Sequence, residues 1–182
     1  MSRVLDSGQW ILGTEVAAFE HDFADYVGAR AVVGVGNGTD ALALAFLALE
    51  LPPASKVLVT AIDGGFSAVA ARMVGLNPVV MDIDPVTLGP TEATAATSLT
   101  PDTTAIVVTH LHGNAVDVAG LQEWRRSKGL RLIEDCAQAH GLRVDGRSVG
   151  ATADAATFSF YPTKNLGAVG DGGAVAFTGA GS

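Results

Sequence analysis

The strongest constraint on this chain is a rhythm. Short runs of Val, Ile, Leu and Ala recur along it, and most are followed by a turn signal and then by a stretch with helical spacing. The runs fall at residues 31–35, 56–60, 78–82, 105–109, 130–134, 155–160 and 173–177. Strands that alternate with helices form βαβ units, so the expected class is α/β with one mostly parallel sheet of seven strands. Helices are expected over residues 14–27, 40–49, 66–74 and 117–128, with a short turn after Asp135. Residues 85–101, rich in Thr, Ala and Pro, have room for one weak helix, but their periodicity is too poor to place it. The stretch ALALAFLAL, residues 41–49, has no polar face; it is expected to be covered on several sides, and it is too short to span a membrane.

A chain of 182 residues with 48% hydrophobic residues can bury one sizeable core. Its formal net charge of −8 disfavours a nucleic-acid or anionic-membrane partner, since it offers no basic surface to hold one. Neither a charged-then-apolar leader nor a membrane span is visible, which gives a cytoplasmic expectation. The single Cys136 cannot close an internal disulfide, and no Cys/His spacing reads as a metal site.

Open α/β sheets bind ligands beyond the carboxyl ends of their parallel strands, so the residues that follow each strand matter most. Gly36-Asn37-Gly38-Thr39-Asp40 follows the first strand and leads straight into a helix. Free amides at a helix start, with the positive end of the dipole behind them, suit a phosphate, and glycines let it approach. An ordinary turn capped at Thr39 or Asp40 is the plainer alternative. Gly34, Gly36 and a later Asp63 also imitate a dinucleotide fingerprint, which makes an oxidoreductase the outsider. Thr39 stands where that motif needs a third glycine or alanine. IEDCAQAHG follows the fifth strand, with Asp135 at the sheet end and Gln138 three residues on; a carboxylate at that depth needs a partner. SFYPTKN follows the sixth, placing Ser159 at the strand end and Lys164 in an apolar, Gly-rich loop where desolvation would favour a nucleophilic amine. Taken together, a phosphate cradle, a buried carboxylate, a side-chain amide and a lysine form the set that pyridoxal 5'-phosphate requires.

These same motifs, GNGTDAL, IEDCAQAHG and SFYPTKNLGAVGDGGA, closely resemble the DegT/DnrJ/EryC1/StrS family of sugar aminotransferases, and the similarity runs from Val4 to Phe177. The resemblance implies the large domain of the aspartate aminotransferase superfamily, a three-layer α/β/α unit whose seven-stranded sheet has one antiparallel strand, here residues 173–177. It implies that Lys164 carries the cofactor as a Schiff base and shuttles a proton, that Asp135 pairs with the pyridine nitrogen, and that Gln138 lies near the ring hydroxyl. Gly38, Thr39 and Ser159 would hold the phosphate. An aromatic residue normally stacks on the ring; AIDGGFSA offers Gly64 or Phe66 at that place, and Phe66 is preferred. His110, His112 and His140 receive no role. The implied reaction moves an amino group, with glutamate as the expected donor, to the keto group of a nucleotide-linked sugar, in a homodimer. Relatives that dehydrate the sugar instead carry His in place of the lysine. The family also has a smaller C-terminal domain, so residues 1–182 are expected to be the cofactor-binding large domain alone, and a binding module without activity is the alternative.

Overall fold

The computed structural model describes residues 1–179. Helices α1 (Ser2–Ser7), α2 (Thr14–Val27), α3 (Gly38–Ala48), α4 (Phe66–Met73), α5 (Glu92–Ser98) and α6 (Val118–Ser127) alternate with strands β1 (Ala31–Val35), β2 (Lys56–Thr60), β3 (Asn77–Met81), β4 (Thr103–Thr109), β5 (Arg131–Asp135), β6 (Arg143–Val144), β7 (Arg147–Ser148), β8 (Ala155–Ser159) and β9 (Gly173–Phe177). All seven expected runs pair into one sheet in the order β1-β9-β8-β5-β4-β2-β3. β9 runs antiparallel to both of its neighbours, while β2, β3, β4, β5 and β8 are mutually parallel. The one antiparallel strand is thus the one the resemblance implied.

Side chains alternate across a strand, and this sheet is apolar on both faces. Val59, Val107, Ile133 and Val175 point to one side, where Ala41, Ala45, Phe46 and Ala70 of α3 and α4 cover them. On the opposite side Ile106 and Leu132 meet Leu121 and Trp124 of α6, and Phe158 meets Phe23 of α2 edge-on at 4.9 Å. Helices on both faces make the unit three-layered.

Several expectations need correction. α3 begins two residues earlier than anticipated, because Asn37 and not Thr39 or Asp40 caps it. Nor is α3 covered all round: its alanines and Phe46 lie on the sheet, whereas Leu44 and Leu47, three residues apart and therefore on one face, stay exposed. Within 85–101 the helix is α5, started by a reciprocal capping box between Thr91 and Thr94. Helix α1 and the hairpin β6–β7 had no sequence signature; α1 buries nothing, so it leaves no apolar periodicity to read.

Candidate functional site

The carboxyl ends of β5 and β8 and the start of α3 converge on a cavity of about 590 Å³. Gly38, Thr39, Phe66, Asp135, Ser159 and Lys164 all line it, together with Asn37, Asp40, Leu42, Ala137, Tyr161, Thr163 and Asp171. Of the expected site residues only Gln138 is absent from this wall; it is exposed on the turn that follows Asp135. A hollow of similar size, about 630 Å³, lies along residues 8–14, but no ionisable side chain lines it, so the chemistry points to the first.

The anion end of the cavity is built by a cap and a close approach. Asn37 Oδ1 accepts the Asp40 N–H at 2.8 Å, while Asn37 Nδ2 donates to Asp40 Oδ2 at 2.8 Å. That cap satisfies the third amide of the helix. The first two, on Gly38 and Thr39, have no intrahelical acceptor and sit at the positive end of the dipole. A Cβ on Gly38 would come within 2.7 Å of Ser159 Cβ, and one on Gly173 within 2.4 Å of the Asn37 carbonyl oxygen. Only glycines allow the helix start to press against the ends of β8 and β9, which brings Ser159 alongside the two free amides.

Asp135 is the last residue of β5 and is 5% exposed. Its Oδ1 accepts the Ala137 N–H at 3.0 Å, the short-range bond that turns the chain at a strand end. Burial pushes its carboxyl up from 3.8 to about 6; the Ala137 N–H pulls against that, Asp63 adds to the push, and Lys164 and His110 draw it down. Asp63 in turn caps α4, accepting the N–H groups of Gly65 at 2.6 Å and Ser67 at 3.1 Å. That cap sets Phe66 at the first turn of α4, where its ring folds back over Gly64. Of the two candidates for the aromatic place, Phe66 is the one on the cavity wall.

Lys164 lies on a loop pinned at Phe160, whose N–H donates to Gly172 O at 2.8 Å and whose carbonyl accepts from Ala168 N–H at 2.7 Å. Its ammonium makes no ion pair among the described residues, so the amine is free to meet a ligand. His140 packs on Phe158 and Phe160, and burial first and Lys164 second hold its imidazole below the usual range, in the neutral form. His110 is structural: Nδ1 accepts the Val116 N–H at 3.0 Å, which leaves the proton on Nε2 to donate to Glu134 at 2.9 Å.

Chemically, the cavity offers two backbone amides and a hydroxyl for an anion, a buried acid for a basic ring nitrogen, and a lysine amine for a carbonyl. Sequence similarity gives this arrangement a family. Residues 1–180 match the DegT/DnrJ/EryC1/StrS aminotransferase family. The chain belongs to that family. Among its relatives, the dTDP-3-amino-3,4,6-trideoxy-alpha-D-glucose transaminase of Micromonospora megalomicea subsp. nigra is 45% identical over 96% of this chain and 47% of its own length. The crystal structure of S. venezuelae DesV in complex with a ketimine intermediate superimposes with a TM-score of 0.93 at 41% identity, covering 97% of this chain and 48% of that one. The Bacillus subtilis protein ntda with bound cofactor PMP superimposes at 0.88 with 31% identity, covering 97% and 40%. The chain spans about half the length of the curated relatives it matches.

Sequence reasoning missed Asn37, Tyr161 and Asp171 on this wall and Asp63 near Asp135. Asn37 was legible, since Asn followed three residues later by Asp is a helix-start pattern. Asp63, whose place in the sequence fits a dinucleotide fingerprint, instead accepts the amides of Gly65 and Ser67 at the start of α4 and puts a negative charge beside Asp135. Asp171 and Tyr161 reach the cavity through the path of the 160–172 loop, for which no local signal exists.

Proposed function

We propose that this chain is the pyridoxal-phosphate-holding large domain of an aminotransferase that moves an amino group, from glutamate, to the keto group of a nucleotide-linked sugar. The observation that carries the reading is the meeting of Lys164, Asp135 and the two open amides of α3 on one cavity wall. Its donor set fits the cofactor: the Gly38–Ser159 contact leaves a cradle for a phosphate, and the buried acid makes no ion pair among the described residues. The family match supports the reaction class, and the relatives' nucleotide-sugar names support the substrate class.

In this reading Gly38, Thr39 and Ser159 would hold the phosphate, Phe66 would lie against the ring, and Gln138, exposed on the turn after Asp135, would be the side chain for the ring hydroxyl. Asp135 keeps a proton on the ring nitrogen. The cofactor, when bound, supplies a carbonyl that takes up amines and a ring that accepts an electron pair. Lys164 Nζ would hold that carbonyl and would hold or move the proton at the substrate carbon. Glutamate thus leaves as its keto acid, and the keto sugar leaves as an amino sugar. The chain works in the cytoplasm in this reading; its cysteine, Cys136, is buried and free, and burial pushes its thiol up. It works as a homodimer, a second copy covering the apolar side chains on the outer faces of α3 and α4.

The chain has three lysines, Lys56, Lys128 and Lys164, so the test is direct. Pyridoxal phosphate should give a yellow adduct that borohydride fixes to Lys164, and Lys164→Ala should abolish it. Peptide mapping that finds the fixed group on Lys56 or Lys128 refutes the assignment. With the adduct in place, release of 2-oxoglutarate on adding glutamate and a panel of nucleotide-linked keto sugars supports the transferase; no release with an intact adduct supports the inactive binding module.

A further inference from the structure

Asp135 does not stand alone in the sheet. Its register partners are Thr109 on β4 and Thr157 on β8. Partners on parallel strands point to the same face, so the three side chains form a row on the α3 side of the sheet, about 5 Å from one to the next. Both threonines are buried, at 4% and 1% exposure, and neither hydroxyl has a hydrogen-bond partner among the described residues. Neither lines the cavity; they lie beneath its wall.

Buried hydroxyls without partners are rare, because losing water without gaining a bond costs stability. Valine would fill the same space without that cost, and valine is what this face uses nearby, at Val107 on the same strand as Thr109 and at Val175, the register partner of Thr157 on β9. Two such hydroxyls, one on each side of the buried Asp135 carboxylate on the cavity wall, are not explained by packing. A threonine Oγ can exchange staggered positions with its methyl, and at the spacing of neighbouring strands one of those positions points along the row.

We infer that Thr109 and Thr157 are positioning residues for Asp135, their hydroxyls turning onto its carboxylate to hold it ionised and aimed into the cavity. This rests on the aminotransferase reading only in giving the aimed carboxylate a ring nitrogen to meet. The charged and titratable groups facing Asp135 are Asp63 after β2, His110 after β4 and Lys164 after β8, with Asp40 and Asp171 on the same cavity wall. Burial and Asp63 favour the neutral acid; two hydroxyl donors beside the anion oppose them.

The test uses Thr109→Val and Thr157→Val, singly and together, which keep shape and remove the donors, and Thr→Ser at both positions, which keeps the donors. Carbon-13 NMR of the unloaded chain, with the Asp135 carboxyl assigned by its loss in Asp135→Asn, reads the titration directly. The double valine variant should raise the Asp135 midpoint by about one pH unit, and the serine pair should leave it where the wild type has it. An unchanged midpoint in the valine variants overturns the inference, as does an equal shift in the serine pair. If the double valine variant does not fold, the two single variants decide on the same criterion. A second readout compares pyridoxal phosphate with an analogue bearing carbon in place of the ring nitrogen: the valine pair should weaken the first about tenfold and leave the second unchanged. Equal weakening of both overturns it. Failure of the wild type to take up pyridoxal phosphate at all would sink the aminotransferase reading, while the NMR titration would still decide the carboxylate's partners.

Discussion

Glu134 and Asp135 are neighbours in sequence with opposite fates, because a strand sends successive side chains to opposite faces. Glu134 is saturated: it accepts from the N–H groups of Gly150 at 2.8 Å and Ala153 at 3.1 Å and pairs with His110. Asp135 has one backbone donor and an open cavity. Its raised carboxyl makes the unloaded chain pH-sensitive in a definite direction. An unfolded Asp titrates near 3.9 and this one near 6, so the folded state prefers the neutral acid. The stability this confers is fully present below about pH 4 and is lost as pH rises through about 6. Asp135→Asn cannot ionise. Without cofactor it should therefore match the wild type near pH 3.5 and gain on it above pH 7, by up to about 3 kcal/mol. Thermal melts at the two pH values check this; an equal difference at both would show that ionisation plays no part.

At the scale of the element, the start of α3 decides whether an anion can bind. Its two free amides exist because Asn37 takes only the third, and they are reachable because Gly38 admits Ser159. Gly38→Ala improves intrinsic helix propensity by at most about 1 kcal/mol, yet it forces a Cβ against Ser159 at the end of β8. The clash should win, destabilising the chain by about 1–3 kcal/mol and weakening pyridoxal phosphate at least tenfold. Denaturant melts and a titration of the visible absorbance measure the two effects separately. Asn37→Ala, which removes the cap and the side-chain bond to Asp40, should cost about 1 kcal/mol.

For the whole molecule, the notable surface is the outer side of the α3–α4 layer. Leu44 and Leu47 on α3 and Val69 and Met73 on α4 are each between 43% and 58% exposed, on two helices that pack against one another. A contiguous apolar face on a chain of net charge −8 is where a second copy would bury area. If the proposed dimer forms through this face, Leu47→Glu combined with Met73→Glu should convert it to a monomer in sedimentation velocity, with circular dichroism unchanged. Persistence of the dimer would place the interface elsewhere.

The sequence by itself determined the class and nearly the whole sheet, because strand runs bounded by turns and helices carry their own periodicity, and it named the lysine, the acid and the anion loop because each follows a strand. It could not place α1 or the β6–β7 hairpin, which bury too little to pattern the chain, and it misjudged the cap of α3 by two residues. Tertiary structure alone decided which residues meet across strands. The register that sets Thr109 and Thr157 beside Asp135 and the glycine contacts that press α3 against β8 and β9 depend on distances between segments far apart in the chain. Local spacing along one chain holds no record of those distances.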